Sequence, residues 1–446
     1  MTECNSTEAA EKLYQEAVEE SKNGNQDFLE DAAKKLKISA DFGYHEAQYI
    51  YGLWLMFGKG VEKNLTESAK YFQLSADSGN TNAEYNIGLC YSEGKGVPIN
   101  AELALHYFEC AASKNHASSQ FKAAELYRDG IGTKLNEKKA AQLFQSAALN
   151  GLPLAQLEYG KCLRDGFGVK KNEEEAKKFL KMAANQKNHE AEFLLAVLQL
   201  NEGDISNALI NFENAANGGN CQAQLSLSKI YDEGIGVEKD LKSSFNYLKM
   251  AADSNSAEAE YFLAFCLKQG KYDSIIQSEN SLNEGNANED IENVRTELVN
   301  KYYKMSADNG FVHAQLIVGE NFKEKGEFNE ALKYFQLAAE QNNATAKFKL
   351  GVMLLERGKE SQGAALVRSS ADDHIGEAQL AYAKFLLKKI SNKEDEEKFI
   401  YYLKMAADNK NKEAVELYIQ CLQNGFCVEK NERESQKYSK MLLEIQ

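Results

Sequence analysis

Two glycine–lysine segments have the composition of a loop that could bind a phosphate group. They are Gly52–Lys59 and Gly88–Lys95. A phosphate-binding loop has one residue fewer between its first glycine and its lysine, and then Ser or Thr to hold the metal. Here Gly60 and Gly96 follow the lysines. The spacing argues against nucleotide binding, and no cofactor is predicted.

The eight cysteines could bind zinc if they occurred in close pairs. No Cys-x-x-Cys pair exists, so no metal site is predicted from them. Four cysteines share one place in a repeated pattern described below, where other copies carry Trp, Leu or Phe. They are Cys90, Cys162, Cys266 and Cys421. Because free cysteine packs as a small apolar residue, we predict that these thiols occupy a core position.

Five of the six histidines lie just before a repeated alanine, in different copies of the pattern, and are predicted to be solvated turn residues. They are His45, His116, His189, His313 and His374. Neither His45-Glu46 nor His189-Glu190 has the second histidine of a zinc protease. Carboxylates are abundant, but no second feature supports a general acid or base. We therefore predict no catalytic residue, no metal and no enzyme activity.

Composition restricts the partners and the compartment. The formal net charge of −15 disfavours nucleic acid and anionic membrane surfaces. The N-terminus lacks the features of a signal peptide, and no apolar stretch is long enough to span a bilayer. A cytoplasmic protein with reduced thiols is expected. At 446 residues the chain exceeds one compact core, and its 2 prolines favour helices over sheets.

A small residue recurs along the chain, mostly at steps of 36 or 32 residues, and marks a repeat. At four and eight residues after this anchor the side chain is large and apolar, which predicts one face of a helix, the A helix. Five residues after it the side chain is small, which predicts close approach of a neighbouring helix. A second, B helix follows, ending in an alanine pair. The anchors are Ala47, Ala83, Ser119, Ala155, Ala191, Ala223, Ala259, Ala314, Ala346, Ala378 and Ala414.

The turn between the two helices has its own signature, Gly-x-Gly-Val. It occurs at Gly58–Val61, Gly94–Val97, Gly166–Val169 and Gly234–Val237. Glycine permits the positive φ angles of such a turn, and the valine can pack on the core. Copies of 32 residues have a shorter turn, as at Gly326-Glu327.

Taken together, the anchors, the small fifth position, the turns and the alanine pairs resemble the Sel-one-like repeat family, relatives of the tetratricopeptide repeat. The resemblance covers roughly 27–446, and it implies an all-α, right-handed α-solenoid of about 12 antiparallel helix pairs, an α/α superhelix. The 32-residue copies depart from the family's turn and read more like tetratricopeptide repeats. Some bacterial secreted members are stapled by disulfides, which we do not carry over because no export signal is present.

Four regions are expected along the chain. They are a degenerate capping repeat at 1–45, repeats at 46–269, an acidic insertion at 270–297, and repeats with a C-terminal cap at 298–446. Residues 272–294 contain six acids, five asparagines and no Lys or Arg. Such a composition predicts a disordered spacer. A docking or modification site is the alternative.

The resemblance implies that A helices line an inner surface, where positions six and nine after the anchor are free. Free positions can be selected for binding or merely solvated. Exposed apolar residues there favour binding of a partner helix or peptide. The candidate residues are Leu53, Met56, Leu89, Arg128, Lys161, Arg164 and Lys229.

The sequence thus indicates a scaffold or adaptor that binds other proteins, with no nucleic acid or membrane as partner and a small-molecule ligand disfavoured. The resemblance leaves two alternatives open. One is a regulatory subunit that activates a bound enzyme. The other is a hydrolase.

Overall fold

Helices follow one another along the chain in the computed structural model, which describes residues 2–22, 26–280 and 287–445. These ranges contain no strand. The chain divides into two compact units, Met1–Ala223 and Gln224–Gln446, and the division falls inside a helix.

The first unit holds twelve helices and the start of a thirteenth in its described residues. Each of the first eleven helices packs on the next helix in the chain, so that the unit is a stack of antiparallel pairs. The bounds are α1 Thr2–Ser21, α2 Gln26–Asp41, α3 His45–Phe57, α4 Leu65–Asp77, α5 Thr81–Glu93, α6 Ala101–Ser113, α7 Ala117–Asp129, α8 Glu137–Leu149, α9 Pro153–Asp165, α10 Glu173–Ala184, α11 His189–Asn201, α12 Ile205–Asn217 and α13 Cys221–Glu233.

The second unit repeats this arrangement, with one short helix, α16, between the members of a pair. Here α15 packs on α17, and the later helices pack on their neighbours in order. The bounds are α14 Leu241–Asp253, α15 Ala257–Lys268, α16 Asp273–Asn280, α17 Ala287–Asp308, α18 Val312–Glu324, α19 Phe328–Glu340, α20 Ala344–Glu356, α21 Glu360–Asp372, α22 Gly376–Leu387, α23 Lys393–Asp408, α24 Lys412–Asn424 and α25 Glu432–Ile445. The predicted all-α stack of helix pairs is confirmed in each unit.

Where the fifth position of the A helix is glycine, the predicted close approach of the B helix is confirmed. A Cβ atom on Gly52 would lie 2.8 Å from the ring of Phe72, and one on Gly88 would lie 2.7 Å from the ring of Phe108. Both distances are well inside van der Waals contact. The helical glycine, which costs about 1 kcal/mol relative to alanine, therefore makes room for an aromatic side chain of the paired helix.

The Gly-x-Gly-Val turns of the first unit end their A helices and contact the preceding repeat. Gly58 and Gly94 have positive φ and cap α3 and α5. The second glycine of the turn, Gly96, has φ +79°, and its backbone lies directly against the carbonyl of Leu65 at the start of α4. Asn100 then caps α6 by accepting a hydrogen bond from the backbone N–H of Leu103.

The acidic segment differs from its prediction. Residues 273–280 and 287–297 are helical, and Tyr272, Ile275 and Ile276 are buried in the core of the second unit. The prediction relied on the acidic and asparagine content and overlooked the apolar residues of this segment. Ile291 and Val294 also pack against this core. Residues 281–286 lie outside the described residues, so the expectation of disorder is not tested there.

The core position predicted for four cysteines is confirmed. Cys90, Cys162 and Cys421 are buried, and Cys266 packs against the core of the second unit. Burial raises the pKa of the first three thiols to about 11, which makes them poor nucleophiles at neutral pH.

The prediction that the turn histidines are solvated holds for His313 and His374, which are exposed, but not for His116. His116 lies at the start of α7 as predicted, but it is half-buried and caps the helix by accepting from the backbone N–H of Ser119. Its burial holds its pKa below the usual value.

Candidate protein-binding surface

An apolar row begins the exposed face of the A helices in the first unit. Leu53, Met56 and Phe57 lie three and four residues apart on α3, a spacing that places them on one side of the helix. Leu53 and Met56 are half-buried and pack against the core, whereas Phe57 is 75% exposed. Leu89 continues the row on α5 and is half-buried against the next core cluster. We call the exposed side of α3, α5, α7, α9 and α11 the first-unit A face.

Charged residues in ion pairs form the middle of the first-unit A face. Arg128 contacts Asp129 at 2.8 Å and reaches Glu158 of the next A helix at 3.2 Å. Lys161 contacts the same Glu158 at 2.9 Å and Glu190 of the following repeat at 2.6 Å. The predicted cations therefore form a row of alternating charge across three repeats.

Arg164 completes this charged row through its neighbour in the sequence. Its Nε donates to Asp165 over 2.7 Å, and this hydrogen bond holds the pKa of the Asp165 carboxyl below its usual value. Lys229 is not part of the row. It lies on α13 in the second unit, its side chain is 70% exposed, and its nearest carboxylate is Glu233 at 4.0 Å. The structure thus groups six of the seven predicted residues in one unit.

Three residues of this face were missed because only positions six and nine after the anchor were considered. Phe57 lies ten residues after its anchor, and Ile50 lies three after the same anchor. Leu194, also three after an anchor, is half-buried on α11. Helical periodicity places positions three, six and ten after the anchor on one side of the helix. The spacing alone could therefore have predicted these residues.

In at least five repeats a buried glutamine next to the anchor connects the A helix to the preceding repeat. The Gln120 amide donates to the carbonyl of Ala112 at the end of α6 over 3.2 Å. Its oxygen accepts from the Asn150 amide over 2.9 Å, and Asn150 also donates to the carbonyl of Asn115 over 3.3 Å. Two side chains thus satisfy carbonyl groups in the turn between repeats, which would otherwise be costly to bury.

The residue next to the anchor contacts a partner at the end of the B helix. The residue types of this pair change along the chain, but the two side chains remain complementary. The charges are opposite in sign in two of the pairs. The contacts are Glu84–Lys114 at 2.7 Å, Gln120–Asn150 and Gln156–Gln186 at 2.9 Å, Glu260–Asn309 at 2.9 Å, Gln315–Gln341 at 3.1 Å, Lys347–Asp373 at 3.1 Å and Gln379–Asn409 at 2.8 Å.

One repeat replaces this pair with a histidine contact. Gly218 occupies the partner position, and a Cβ there would collide with the ring of His189. The His189 imidazole instead contacts the Glu192 carboxylate at 2.8 Å. We call the whole set the inter-repeat pairs. Each pair joins an A helix to the end of its own B helix, and Gln120, Asn150 and Lys114 also donate to carbonyl groups that precede the A helix.

Tyrosine–aspartate hydrogen bonds connect successive B helices. The Tyr71 hydroxyl donates to Asp41 over 2.6 Å, and the Tyr402 hydroxyl donates to Asp372 over 2.6 Å. Burial, and then the bond to Asp372, raise the pKa of Tyr402 to about 12. These contacts lie away from the A face and contribute to the scaffold, not to the candidate surface.

Two further observations concern chemistry and membranes. Over the part of the chain that the structure describes, no group of three or more His, Cys, Asp or Glu side chains could hold a metal ion. No helix among those residues combines the length and apolar character needed to cross a bilayer.

Two solved structures are similar to this chain. A protective antigen present in uropathogenic Escherichia coli strains, described as displaying an SLR fold, is 23% identical with a TM-score of 0.55; the match covers 92% of this chain and 86% of that one. A Sel1 repeat protein from Oxalobacter formigenes is 31% identical with a TM-score of 0.45, covering 53% of this chain and 96% of the other. None of the curated proteins compared with the chain matches it.

The family model of the Sel1 repeat matches eight segments of the chain, which together make up more than half of its length. The first four, 45–80, 81–116, 117–152 and 153–188, are consecutive full repeats. The others are 221–256, 257–280, 318–343 and 420–442. With its helix pairs, small fifth positions and Gly-x-Gly-Val turns, the chain belongs to the Sel1 repeat family.

Proposed function

We propose that the chain is a scaffold or adaptor that binds another protein, and that the first-unit A face receives a helix or peptide of this partner. The observation that carries the proposal is the row of Leu53, Met56 and Phe57, with Phe57 75% exposed at its end. Membership of a family whose repeats typically mediate protein–protein interaction supports the same conclusion.

The spacing of this row favours an amphipathic guest. Side chains at intervals of three and four residues form a ridge that complements the apolar stripe of a partner helix. Large aromatic side chains dominate the energetics of such contacts, and Phe57 offers the largest exposed apolar area in the row.

The charged middle of the face would contribute specificity more than affinity. Arg128 and Lys161 form partly exposed ion pairs, and pairs of that kind typically contribute only about 0–1 kcal/mol. They can exchange partners at small cost when a guest presents its own charges. Electrostatic complementarity of this kind mainly sets orientation and association rate.

A cytoplasmic setting is part of the proposal. All seven cysteines that the structure describes are free thiols, which supports a reducing compartment. The net charge of −15 supports protein partners over nucleic acid or anionic membranes.

The test places a photoreactive amino acid at position 57 of the full chain and identifies the crosslinked partner and peptide in native extract by mass spectrometry. The purified partner is then titrated against Phe57→Asp. We expect an affinity loss of about 30-fold or more, the effect of removing an aromatic anchor of about 2 kcal/mol. Leu149→Asp is the matched control, because Leu149 is 67% exposed at the end of a B helix.

Leu53→Asp with Met56→Asp should weaken binding as well, but both side chains pack on the core and the double change will also lower stability. Phe57→Asp therefore separates binding from folding. Equal affinities of the Phe57→Asp and Leu149→Asp variants, at unchanged melting temperature, would show that the partner does not use this face.

A further inference from the structure

A cavity of about 270 Å³ in the second unit lies where a Gly-x-Gly-Val turn is missing. In long repeats the second glycine of the turn covers the first residues of the preceding B helix, as Gly96 covers Leu65. Leu65 lies eleven residues before Ala76, and Thr296 lies eleven before the equivalent Ala307. After α18 the chain has only the short turn with Gly326, and a Cβ there would meet no atom within 4 Å. Thr296 consequently lines an open cavity.

The donors around this cavity are cationic or amide groups, and of these Arg295 is paired with a carboxylate. Lys268 ends α15 and is exposed, and within the described ranges no carboxylate lies within ion-pair distance of it. Arg295 donates one Nη1 hydrogen bond to Asp273 over 2.7 Å, which leaves the other side of its guanidinium free to face the cavity. The amides of Asn300 and Asn321 also line it.

The remaining walls are mostly apolar, and an aromatic strip, Phe262 and Phe265, lies on the same helix as Lys268. Tyr303 and Ile317 line the cavity, and Tyr303 is buried. Phe262, Phe265 and Lys268 follow at intervals of three along α15, which places them on one side of the helix. Phe262 is 43% exposed and Phe265 is 42% exposed.

We propose that this cavity binds the carboxylate of an acidic peptide segment of a partner protein, with an apolar residue of the same peptide lying on Phe262 and Phe265. A carboxylate accepts hydrogen bonds from several donors at once, and bonds to ionised groups are stronger than neutral ones. About 270 Å³ is below the range of small-molecule sites, about 300–1,000 Å³, and fits one side chain or chain terminus. The aromatic strip favours a peptide over a phosphate ion or a vesicle.

This inference rests on the proposed scaffold function, but not on the first-unit A face. Phe57→Asp should leave acidic-peptide binding unchanged. Failure of the cavity test therefore leaves the first-unit proposal standing, and failure at Phe57 leaves the cavity standing.

The experiment uses the full chain and fluorescein-labelled eight-residue peptides that each carry two glutamates and one phenylalanine, measured by fluorescence polarisation. Versions with glutamine for glutamate, with a free or amidated C-terminus, separate side-chain from terminal carboxylates. Inorganic phosphate and phosphatidylserine vesicles serve as competitors. We expect carboxylate-dependent binding that weakens with salt, as partly exposed charges require.

Lys268→Gln should weaken this binding about fivefold, the scale of one partly exposed charge pair. Lys301→Gln is the matched control, because Lys301 is an exposed lysine of α17 that does not line the cavity. Lys268→Glu should reverse the preference toward peptides that carry lysine in place of glutamate. No binding of any carboxylate peptide up to 1 mM, equal binding of the amidated glutamine version, which carries no carboxylate, equal effects of Lys268→Gln and Lys301→Gln, or displacement by phosphate or vesicles would each overturn the proposal.

Discussion

Repeats with a long turn and repeats with a short turn expose different parts of the same helix pair. In the first unit, Gly60 and Gly96 bring their turns onto the preceding B helix, and the valine that follows packs against the core. In the second unit, the short turns at Gly326 and Gly358 have open space around their Cβ positions. Turn length therefore decides whether the start of a B helix is covered or open.

The two open sites are lined by different charged residues. The short turn therefore leaves space beside the B helix, but it does not determine which charges line that space. Thr296 lies in the cavity with Lys268 and Arg295. The equivalent residue in the next repeat, Phe328, lies in a cavity of about 320 Å³ together with Arg357 and the acidic residues Glu327 and Glu330. We expect carboxylate binding at the first of these sites and not at the second.

The largest test of this comparison places alanine in each kind of turn. Gly96→Ala should lower the free energy of unfolding by about 3 kcal/mol, because it adds left-handed strain of about 1–2 kcal/mol and forces a Cβ onto the Leu65 carbonyl. Gly326→Ala has the same kind of φ angle, +76°, but no neighbour, and should cost only about 1 kcal/mol.

Urea unfolding followed by circular dichroism measures both changes against the unmodified chain. The ratio between the two losses of unfolding free energy is the informative quantity, because both variants have the strain of alanine at positive φ. Equal losses would mean that contact with the preceding B helix does not distinguish the long turn.

The second test exchanges the inter-repeat pairs between repeats. Lys114→Ala leaves the largely buried Glu84 carboxylate without its partner and should cost about 2 kcal/mol, less than a fully buried pair because Lys114 is partly exposed. Glu84→Gln combined with Lys114→Asn recreates the Gln120–Asn150 pair and should restore most of the loss. A double-mutant cycle by urea unfolding measures the coupling. A double variant no more stable than Lys114→Ala would refute complementarity as the rule.

The sequence predicted the helix pairs well because packing repeats with the chain. Gly52 and Gly88 occupy the same repeat position for the same steric reason. The same pattern therefore occurs in eleven copies of the repeat and is easy to detect. The inter-repeat pairs were also in register, but their members change from Glu–Lys to Gln–Asn to Lys–Asp. A search for identical residues at one repeat position misses these pairs, because only the complementarity of the two side chains is kept from repeat to repeat.

The candidate surface was predicted less completely. Leu53 and Met56 were predicted from their repeat positions, whereas Phe57, at the end of α3, was missed because only positions six and nine after the anchor were considered. The cavity beside Thr296 depends on a turn that the chain lacks, and an absent segment leaves no motif to recognise. The burial of Tyr272 was hidden by the acids around it.

The smallest expected effect concerns the B helices, where tyrosine in one repeat replaces phenylalanine in another. Tyr402 donates to Asp372, whereas Phe179 fills the corresponding place in the first unit with no hydroxyl. Tyr402→Phe should cost about 1 kcal/mol at neutral pH, the usual net contribution of one hydrogen bond.

The same variant has a distinctive pH dependence. The pKa of Tyr402 is raised to about 12 in the folded chain, so its neutral form stabilises the fold below pH 10, and this contribution is lost as the pH rises toward 12. The stability difference between the unmodified chain and Tyr402→Phe should therefore shrink between pH 10 and 12, as measured by urea midpoints. Tyr401→Phe is the control, because Tyr401 is 59% exposed and should show no such change. A difference that stays constant across this range would mean that the hydroxyl contributes nothing through its bond to Asp372.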